Sequence, residues 1–420
     1  MIKQYDIVVI GAGAAGMMAA QKAAEEGAKV LILERNEKAG RKVAITGKGR
    51  CNVTNNSDVK TLQENMVTNP RFVLSAVSRF NAQDLMQRIE ANGVPLKTER
   101  GARVFPQSDK AFDIVDALVR ACRKAHAAFQ FQTTVTGIEK TEDGFLIHTG
   151  NGEIASRRVI LATGGISYPT TGSTGDGYRF AESLGHRIHS PAGGLVPLTT
   201  LEHWPKELMG LSLKNVGVKV TRSSKVLFKD FGEMLFTHFG ISGPVVLSAS
   251  SRVQAWLRSH GTDWKQEKVS FFIDLKPALS EEQLDLRIRR DFEKHGKKQL
   301  LHAMEDLLPK RLIPIIIQEA GLSETKRADT LSSAEIRALR ETLKGLKLTI
   351  IGTRSAEEAI ITQGGVEVKE VDPKTMESRI IPGLYFAGEV LDIDALTGGF
   401  NLQVAFSTGY AAGKAQRTVL

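Results

Sequence analysis

The most constraining feature of the chain is residues 5–34, YDIVVIGAGAAGMMAAQKAAEEGAKVLILE. An apolar run at residues 7–10 enters the glycine-rich turn GAGAAG, and an alanine-rich stretch with helical character follows. A second apolar run then ends at Glu34, 18 residues after the last glycine of the turn. This order predicts a strand, a helix and a second strand, with an acid at the spacing typical of dinucleotide-binding units.

Each residue type in this unit has a physical role. Gly11 permits the tight turn, Gly13 lets a pyrophosphate approach the backbone, and Gly16 lets the helix pack closely on the strand. The start of the helix offers unpaired N–H groups and the positive end of its dipole to phosphates. Glu34 can accept hydrogen bonds from a ribose. The segment therefore predicts a dinucleotide site.

Bulk properties narrow the class of protein. The 420 residues suffice for two or three domains, and the hydrophobic share of 42% is ordinary for a globular chain. No apolar run reaches the ~18 residues that suggest a membrane span, and the N-terminus does not have the form of a signal peptide. The two cysteines, Cys51 and Cys122, are far apart. We therefore expect a cytoplasmic protein without a structural disulfide, a metal site or a membrane association.

The net charge of +9 has two interpretations. The first is a basic but solvated surface, which the absence of an arginine-rich tail and of a recognised RNA-binding motif favours. The alternative is a surface for RNA, and the Lys/Arg content of residues 285–311 favours it.

Periodicity predicts how the rest of the chain is organised. Residues 41–56 are expected to form a polar loop. Helices are predicted at 80–93 and 110–128, and strands at 133–140, 144–149 and 153–161. After Pro191 the pattern changes: residues 195–275 predict an antiparallel sheet or small barrel, and residues 280–345 predict helices. Strands and glycine loops return near residue 360.

A second informative segment lies at residues 382–413, PGLYFAGEVLDIDALTGGFNLQVAFSTGYAAG. Residues 384–387 predict a buried strand that Gly388 and Glu389 end, and Gly398 and Gly399 open a helix. The N-terminus of that helix would stabilise the negative charge of a reduced flavin. An ordinary C-terminal helix is the alternative, but the N-terminal turn favours flavin. A bulky residue at Gly399 is then expected to impair flavin reduction more than folding.

These stretches resemble the flavoproteins with two dinucleotide folds and, more narrowly, the BaiN/YhiN-type family of bacterial NAD(P)/FAD-dependent oxidoreductases. The similar stretches are GAGAAG at 11–16, GRKVAITGKGRCNVTN at 40–55, MLFTHFGISGP at 234–244, TQGGVEV at 362–368 and GLYFAGEVLDIDALTGGFNLQ at 383–403. They extend over nearly the whole chain. One departure is Lys48, between Gly47 and Gly49, where many relatives have a third glycine.

The resemblance implies an α/β fold: a Rossmann-like FAD-binding domain of the three-layer ββα type with an inserted cap. The FAD-binding domain would comprise residues 1–192 and 355–420, and the cap residues 193–354. Within the cap, residues 193–278 and 346–354 would form a β-barrel part and residues 279–345 a helical part. FAD would be bound non-covalently. Because no second strand–GxGxxG–helix unit occurs, NAD(P)H is expected only as a transient electron donor.

The resemblance also implies a set of cofactor-binding residues. For the pyrophosphate these are Gly11, Gly13, Ala14, Ala15 and Gly16, and for the adenosine Glu34, Arg35 and Val135. The flavin side would be lined by Arg41, Lys42, Thr46, Gly47, Arg50, Cys51 and Asn52, with Ala162, Thr163 and Gly164 after the third strand. The ribityl chain and pyrimidine ring would be covered by Gly388, Glu389, Asp392, Gly398, Gly399, Phe400, Asn401 and Leu402.

Three functions are compatible with this family. The first is hydride transfer from flavin N5 to an activated C=C bond of a small unsaturated substrate held between the FAD domain and the cap. The second is reduction of uridine in ribosomal RNA, and the third is a flavin-binding sensor without turnover. The sequence does not fix the proton donor. Candidates are Lys48, Tyr168, His238, Arg354 and Thr362.

Two further residues have competing interpretations. Residues 162–185 are similar in pattern to a segment of fumarate-reductase-like flavoproteins, whereas Asp176 there has the position of a helix N-cap. Cys51 could be a redox thiol, but the lack of a neighbouring cysteine favours a packed and inert one. His186, His189 and His238 are expected to be structural.

Overall fold

The computed structural model describes residues 3–415. The strands in this range are β1 (Lys3–Ile10), β2 (Val30–Leu33), β3 (Thr54–Asn55), β4 (Met66–Thr68), β5 (Leu96–Glu99), β6 (Arg103–Pro106), β7 (Ala128–Gln130), β8 (Val135–Thr141), β9 (Gly144–Thr149), β10 (Gly152–Leu161), β11 (Ile188–Gly194), β12 (Leu198–Thr200), β13 (Ser212–Arg222), β14 (Lys225–Thr237), β15 (Gly240–Ser242), β16 (Val269–Asp274), β17 (Leu346–Thr353), β18 (Ile361–Val366), β19 (Leu384–Phe386) and β20 (Asp394–Ala395).

The α-helices in the same range are α1 (Ala14–Glu25), α2 (Arg41–Gly49), α3 (Val59–Asn65), α4 (Leu74–Arg79), α5 (Ala82–Ala91), α6 (Ala111–Lys124), α7 (Asp176–Ser183), α8 (Trp204–Glu207), α9 (Pro244–Ser259), α10 (Glu281–Lys294), α11 (Leu300–Ala303), α12 (Ile313–Glu319), α13 (Ser333–Lys344) and α14 (Phe400–Lys414). The chain divides into two compact units. The first comprises the residues up to Gly194 and from Ala356 onward, and the second comprises Leu195–Ser355. The divisions fall at 194/195 and 355/356, where the sequence predicts 192/193 and 354/355.

The first unit is built on a mainly parallel sheet. Its strands run in the order β7-β2-β1-β10-β9-β8, and β19 pairs with the end of β10. Strands β7, β2, β1, β10 and β19 are parallel, whereas β9 and β8 are antiparallel. The strand residues of β1 from Ile7 to Ile10 are buried, as expected for a sheet covered on both faces. The predicted Rossmann-like fold class is confirmed.

Parallel strands bring the glycine turns to one edge of this sheet. In register, Ile10 at the end of β1 lies beside Leu33 of β2 and Leu161 of β10, and Leu161 lies beside Phe386 of β19. The residues that follow these strands therefore emerge together at the carboxyl edge, where doubly wound sheets bind their ligands. Both sequence segments singled out for a dinucleotide thus contribute to the same edge.

Helices α1 and α14 pack against each other through glycine. A Cβ added at Gly409 would lie 2.3 Å from the Ala15 carbonyl oxygen, and one at Gly413 would lie 2.4 Å from the Ala19 carbonyl oxygen. Because the two contacts follow the same order along both helices, α1 and α14 run parallel. Backbone contacts this close are available only where the facing residue has no side chain.

The second unit contains a closed barrel in the order β12-β15-β14-β13-β16-β17. The buried side chains of Phe236, Phe271 and Ile273 belong to its core, which continues into the helices α10 to α13. Short alternating runs predict an antiparallel sheet or small barrel here, and the barrel is confirmed.

Three local predictions were wrong. The helix predicted at 110–128 ends at Lys124, because the chain turns at His126 (φ 65°) and residues 128–130 join the sheet as β7. The loop predicted at 41–56 begins as a helical turn, since the Ala44 N–H bonds the Gly40 carbonyl. Asp176 is not the N-cap of α7: Gly175, with φ 81°, has that position, and Asp176 forms an ion pair with Arg35 at 2.7 Å.

Candidate functional site

The first glycine turn shows three different environments. Gly11 has φ +104°, and an added Cβ would lie 2.5 Å from the Ala162 oxygen. At Gly16 an added Cβ would lie 1.9 Å from the Gly11 oxygen, so the turn and α1 pack without room for a side chain. At Gly13 an added Cβ would meet nothing within 4 Å. The protein itself therefore requires the first and third glycines of the fingerprint, whereas the second faces open space.

The start of α1 is available to an anion. Its N-cap is Gly13, and no side chain caps it. Glu34 lies beside the turn, because one carboxylate oxygen accepts from the Ala12 N–H at 2.9 Å. Its other oxygen accepts from the backbone and side-chain N–H groups of Asn36 at 2.9 and 2.7 Å. The predicted ribose acceptor is thus held in one orientation at the end of β2.

Helix α14 provides a second uncapped N-terminus, behind Gly399 with φ +99°. An added Cβ at Gly399 would lie 2.4 Å from the carbonyl carbon and oxygen of Thr54. Any side chain there would clash with this backbone, so the expectation that a bulky residue impairs flavin reduction more than folding was wrong. The Asn401 side chain accepts from the Ala395 N–H and donates to the Ala395 and Leu396 carbonyls, which orders the preceding loop.

The spacing of the two helix starts follows from the glycine contacts. Ala15 is one residue beyond the first residue of α1, whereas its partner Gly409 is nine residues beyond the first residue of α14. Because the helices run parallel, the first residue of α14 lies about 12 Å beyond the first residue of α1 on the N-terminal side of the pair. One phosphate cannot reach both helix starts, but an extended dinucleotide can.

The loop at residues 46–52, which begins where α2 loses helical geometry at Thr46, has an unusual backbone. Gly47, Lys48, Gly49 and Cys51 have positive φ values of 57°, 60°, 82° and 59°. Left-handed conformations are costly for Lys48 and Cys51, and such strain concentrates at functional sites. The Asn52 Oδ1 atom is buried and has no hydrogen-bond partner within the described range. A buried acceptor of this kind calls for a donor that the protein does not supply.

Arg50 does not contribute its charge to this loop. Its guanidinium pairs with Glu99 and Asp109, and it stacks on the Phe105 ring at 4.2 Å. These contacts raise the pKa of Arg50, chiefly through its hydrogen bond with Glu99, and lower the pKa of both carboxylates. Glu99 ends β5 and Asp109 follows β6, so these ion pairs of Arg50 hold the loop against the small sheet β3-β6-β5.

A polar cluster joins four separate segments of the first unit. Lys42 Nζ donates to Glu389 Oε2 and to Ser167 Oγ, both at 2.6 Å. Glu389 Oε1 accepts from the Thr362 N–H at 2.6 Å and from Ser167 Oγ at 3.2 Å. The Thr362 hydroxyl accepts from the N–H groups of Ile166 and Ser167 at 2.8 and 3.1 Å. Ser167 was missed from the sequence, since a lone serine in a loop carries no pattern.

This cluster yields a prediction for Glu389→Ala. The change leaves the Lys42 charge and the buried Thr362 N–H without their acceptor, so we expect a loss of about 2–4 kcal/mol in unfolding free energy. Thermal unfolding of the variant measures it. As a control, Glu64→Ala breaks the exposed Lys60–Glu64 pair, 4.0 Å long, and should cost less than about 0.5 kcal/mol. Equal losses in both variants would contradict a structural role for the cluster.

Other predicted residues have defined surroundings. Arg35 bonds Thr174, Arg41 bonds Asn36, and Thr46 bonds the Val43 carbonyl. Asp392 is buried, and its carbonyl accepts from the Asn69 side chain at 2.7 Å. The remaining positions lie at the start of β8, after β10 and at the start of α14, namely Val135, Ala162, Thr163, Gly164, Gly398, Phe400 and Leu402. Their contact with a cofactor stays a prediction.

The proton-donor candidates lie in different units. Lys48, Tyr168 and Thr362 belong to the first unit, and His238 and Arg354 belong to the second. Tyr168 has φ 53°, and its ring lies 6.0 Å from Lys42 Nζ. His238 and Arg354 both contact Phe239, at 4.9 and 4.8 Å from its ring.

Both cysteines are unsuited to thiol chemistry. Cys51 and Cys122 are fully buried, and burial raises the pKa of each thiol to about 12. Because the thiolate is the reactive form, neither residue is activated at neutral pH. The interpretation of Cys51 as a packed residue in the loop agrees with this environment.

His186 is a buried structural histidine. Its Nδ1 lies 3.0 Å from Glu370 and its Nε2 lies 2.8 Å from Ser378 Oγ. The Ser378 oxygen already accepts from the N–H groups of Ile380 and Ile381, so its hydroxyl proton must point to the imidazole. The histidine is therefore neutral, with its own proton on Nδ1 toward Glu370. His189 likewise bonds a carboxylate, that of Glu367.

This arrangement predicts a pH dependence of stability. Burial lowers the pKa of His186 below its ordinary value, although Glu370 opposes the shift. The unfolded chain then binds the proton more readily than the folded chain. The contribution of neutral His186 to the free energy of unfolding is therefore fully present above about pH 6.5 and is lost as the pH falls below that value. His186→Gln should be less stable at pH 8 and should lose part of this dependence. The exposed His302→Gln is the control, and an unchanged pH profile in His186→Gln would refute the prediction.

The residues present fit FAD. Two uncapped helix starts offset along one direction suit the phosphates and the ring of an extended dinucleotide. The open space at Gly13 leaves room for a pyrophosphate, and the Glu34 carboxylate beside it can accept from a ribose. The buried Asn52 Oδ1 can accept from a ligand N–H.

The helices within residues 3–415 include none with the length and apolar character that a membrane span requires.

The sheet, the glycine turns and the paired helix starts define a Rossmann-fold flavoprotein. The chain belongs to the HI0933-like family, whose model, described as HI0933-like protein Rossmann domain, matches residues 5–415. The predicted family membership is confirmed, and the chain is a flavin-dependent oxidoreductase.

Relatives of known activity match nearly the whole chain. The ribosomal RNA dihydrouridine synthase of Escherichia coli K12 is 32% identical over 413 residues, which is 98% of each chain. The 3-dehydro-bile acid delta(4,6)-reductase of Clostridium scindens is 33% identical over 419 residues, 97% of this chain and 98% of the relative. Among solved structures, a 3-ketosteroid-delta4-(5alpha)-dehydrogenase from Rhodococcus jostii RHA1 has a TM-score of 0.53 at 16% identity, and it covers 99% and 97% of the two chains. This last similarity concerns the fold.

Proposed function

We propose that the protein reduces a carbon–carbon double bond that is conjugated with a carbonyl group. The observation that carries the proposal is the pair of uncapped helix starts at the carboxyl edge of one sheet, which fits FAD. Relatives of nearly equal identity support it, because a uridine ring and a steroid enone share this chemical group. The same hydride step would serve either substrate.

FAD, when bound, supplies a hydride carrier for a two-electron reduction. The chain's own residues bind and orient it. The N–H groups at the start of α1 would hold the pyrophosphate, and Glu34 would hold the adenosine ribose. The N–H groups at the start of α14 would face the pyrimidine ring, where fixed donors stabilise negative charge without reorganisation. Asn52 Oδ1 would accept a hydrogen bond from a ligand N–H.

The electron donor and the proton donor are two separate parts of the proposal. NAD(P)H is the electron donor we propose, binding transiently. As proton donor, Thr362 is disfavoured, because its side chain is buried and its hydroxyl donates to Ser167 Oγ at 3.4 Å. Tyr168 stays the better candidate in the first unit, since its side chain is only partly buried and its ring lies 6.0 Å from Lys42 Nζ.

The test is anaerobic reduction of the holoenzyme with NADH and with NADPH, followed by reoxidation with a steroid enone or with ribosomal RNA lacking dihydrouridine. Free FAD at the same concentration is the control. Reoxidation by the enone alone selects a small-molecule reductase, and reoxidation by the RNA alone selects a uridine reductase. If neither acceptor reoxidises the flavin faster than the control does, the proposal is wrong.

A further inference from the structure

We infer that the outer face of strands β14, β13, β16 and β17 of the barrel is an RNA-binding surface. Its centre is Lys229, Lys219, Phe272 and Lys347, here called the lysine row. The inference rests on the proposed function only for the identity of the substrate, because binding to RNA can be measured without turnover.

Strand register places the lysine row on one line. Lys229 pairs with Lys219, Lys219 pairs with Phe272, and Phe272 pairs with Lys347. Adjacent strands lie about 4.8 Å apart, so these four side chains emerge side by side across four strands. Residues far apart in sequence thus form one surface that composition alone does not reveal.

The lysine row faces outward. Its three lysines are exposed, whereas the residues that precede and follow them on β13 and β17 are buried. Those buried neighbours are Val218, Val220, Leu346 and Leu348. Lys219 Nζ lies 5.2 Å from the Phe272 ring. Within residues 3–415 none of the three lysines forms an ion pair, and the nearby Asp274 is paired with Lys344 at 2.6 Å.

Such a row of positive charges is electrostatically unfavourable when no anion is bound to it. Like charges on facing strand positions repel each other, as at Lys229 and Lys219. Within the described residues no carboxylate forms an ion pair with either lysine, and the adjacent Asp230 on β14 accepts from the Phe231 N–H. The helical part of the second unit differs. In residues 285–311, Arg287 pairs with Asp291, Arg289 with Asp285, and both Lys294 and His295 with Asp306. The basic segment that the sequence indicated is therefore neutralised in part by its own carboxylates, although Lys297 and Lys298 are exposed there, whereas the lysine row places its unpaired charges beside aromatic rings on one sheet face.

The aromatic side chains favour a single-stranded nucleic acid over polyanions that have no bases. Phe231 is 54% exposed and follows Lys229 by two residues on β14, and Phe272 lies within the lysine row. Surfaces that bind single-stranded nucleic acid combine cations for the phosphates with rings on which bases stack. An acidic peptide would use the lysines but not the rings.

The test uses the FAD-loaded full chain and a fluorescein-labelled single-stranded RNA of mixed sequence, with affinity measured by anisotropy over a range of salt concentrations. The variant K219Q/K229Q/K347Q should bind more weakly and lower the slope of log K against log salt by about 2, which corresponds to three phosphate contacts. Phe231→Ala should weaken binding about tenfold through lost stacking. The control K297Q/K298Q/K310Q removes the same charge from exposed lysines of the helical part and should leave the slope nearly unchanged.

Three outcomes would overturn the inference. These are an unchanged slope in the lysine-row variant, an equal loss in both triple variants, and equal competition by polyglutamate, which would indicate a non-specific anion surface. Flavin content and reoxidation by the enone should be the same in all variants. A lysine-row variant that loses RNA binding while neither RNA nor the enone reoxidises the flavin would support the surface and refute the proposed reaction.

Discussion

Gly13→Val is expected to fold and to contain no FAD. The backbone at Gly13 is extended, with φ −82° and ψ −170°, a conformation that valine adopts readily. An added Cβ would meet no protein atom within 4 Å, so the side chain would enter only the space proposed for the pyrophosphate. The loss of a glycine N-cap should cost no more than about 1 kcal/mol.

The measurement compares flavin content and thermal unfolding. Wild-type protein stripped of FAD and Gly13→Val should unfold at similar temperatures. Added FAD should stabilise only the wild type, by about 2.7 kcal/mol at a hundredfold excess over Kd. Gly16→Val is the matched control: its Cβ would lie 1.9 Å from the Gly11 oxygen, so this variant should fail to fold. Normal flavin content in Gly13→Val would exclude a pyrophosphate at this turn.

The comparison of these two glycines shows what a sequence pattern conveys. Gly11 and Gly16 are required by the packing of the protein, and Gly13 is not, yet all three belong to one fingerprint. Strands with continuous apolar runs, such as β1, were predicted because burial on both faces of a parallel sheet requires such runs. Helices α10 and α13 were predicted from periodicity, which their capping boxes reinforce.

Other features depend on contacts between distant segments and left no local pattern. The cluster of Lys42, Glu389 and Thr362 joins residues more than 300 positions apart, and only the fold brings them together. Arg50 is predicted to line the flavin, and that stays a prediction; its ion pairs with Glu99 and Asp109, about 50 and 60 positions away, left no local pattern. The lysine row is set by strand register, which a sequence does not state. Gly399 was interpreted from its neighbours along the chain, whereas Thr54 determines what it tolerates.

The second large effect is expected for Gly409→Val. The added Cβ would lie 2.3 Å from the Ala15 carbonyl oxygen and 3.0 Å from its carbon, both backbone atoms of α1. Relief of this clash requires α1 and α14 to separate, and both helices are buried along most of their length. We expect a loss of more than about 4 kcal/mol, in the range that marks disruption of a core.

The same separation would move the two helix starts apart, so FAD should not rescue the variant. Thermal unfolding with and without saturating FAD tests this, since a simple loss of stability would be partly restored by the ligand. Gly150→Val is the control, because an added Cβ there meets nothing within 4 Å and its φ is not left-handed. Gly409→Ala places the same Cβ against Ala15 and should also destabilise the protein. If Gly409→Ala instead raised the unfolding temperature, the close packing of α1 on α14, and with it the offset of about 12 Å between their N-termini, would be wrong.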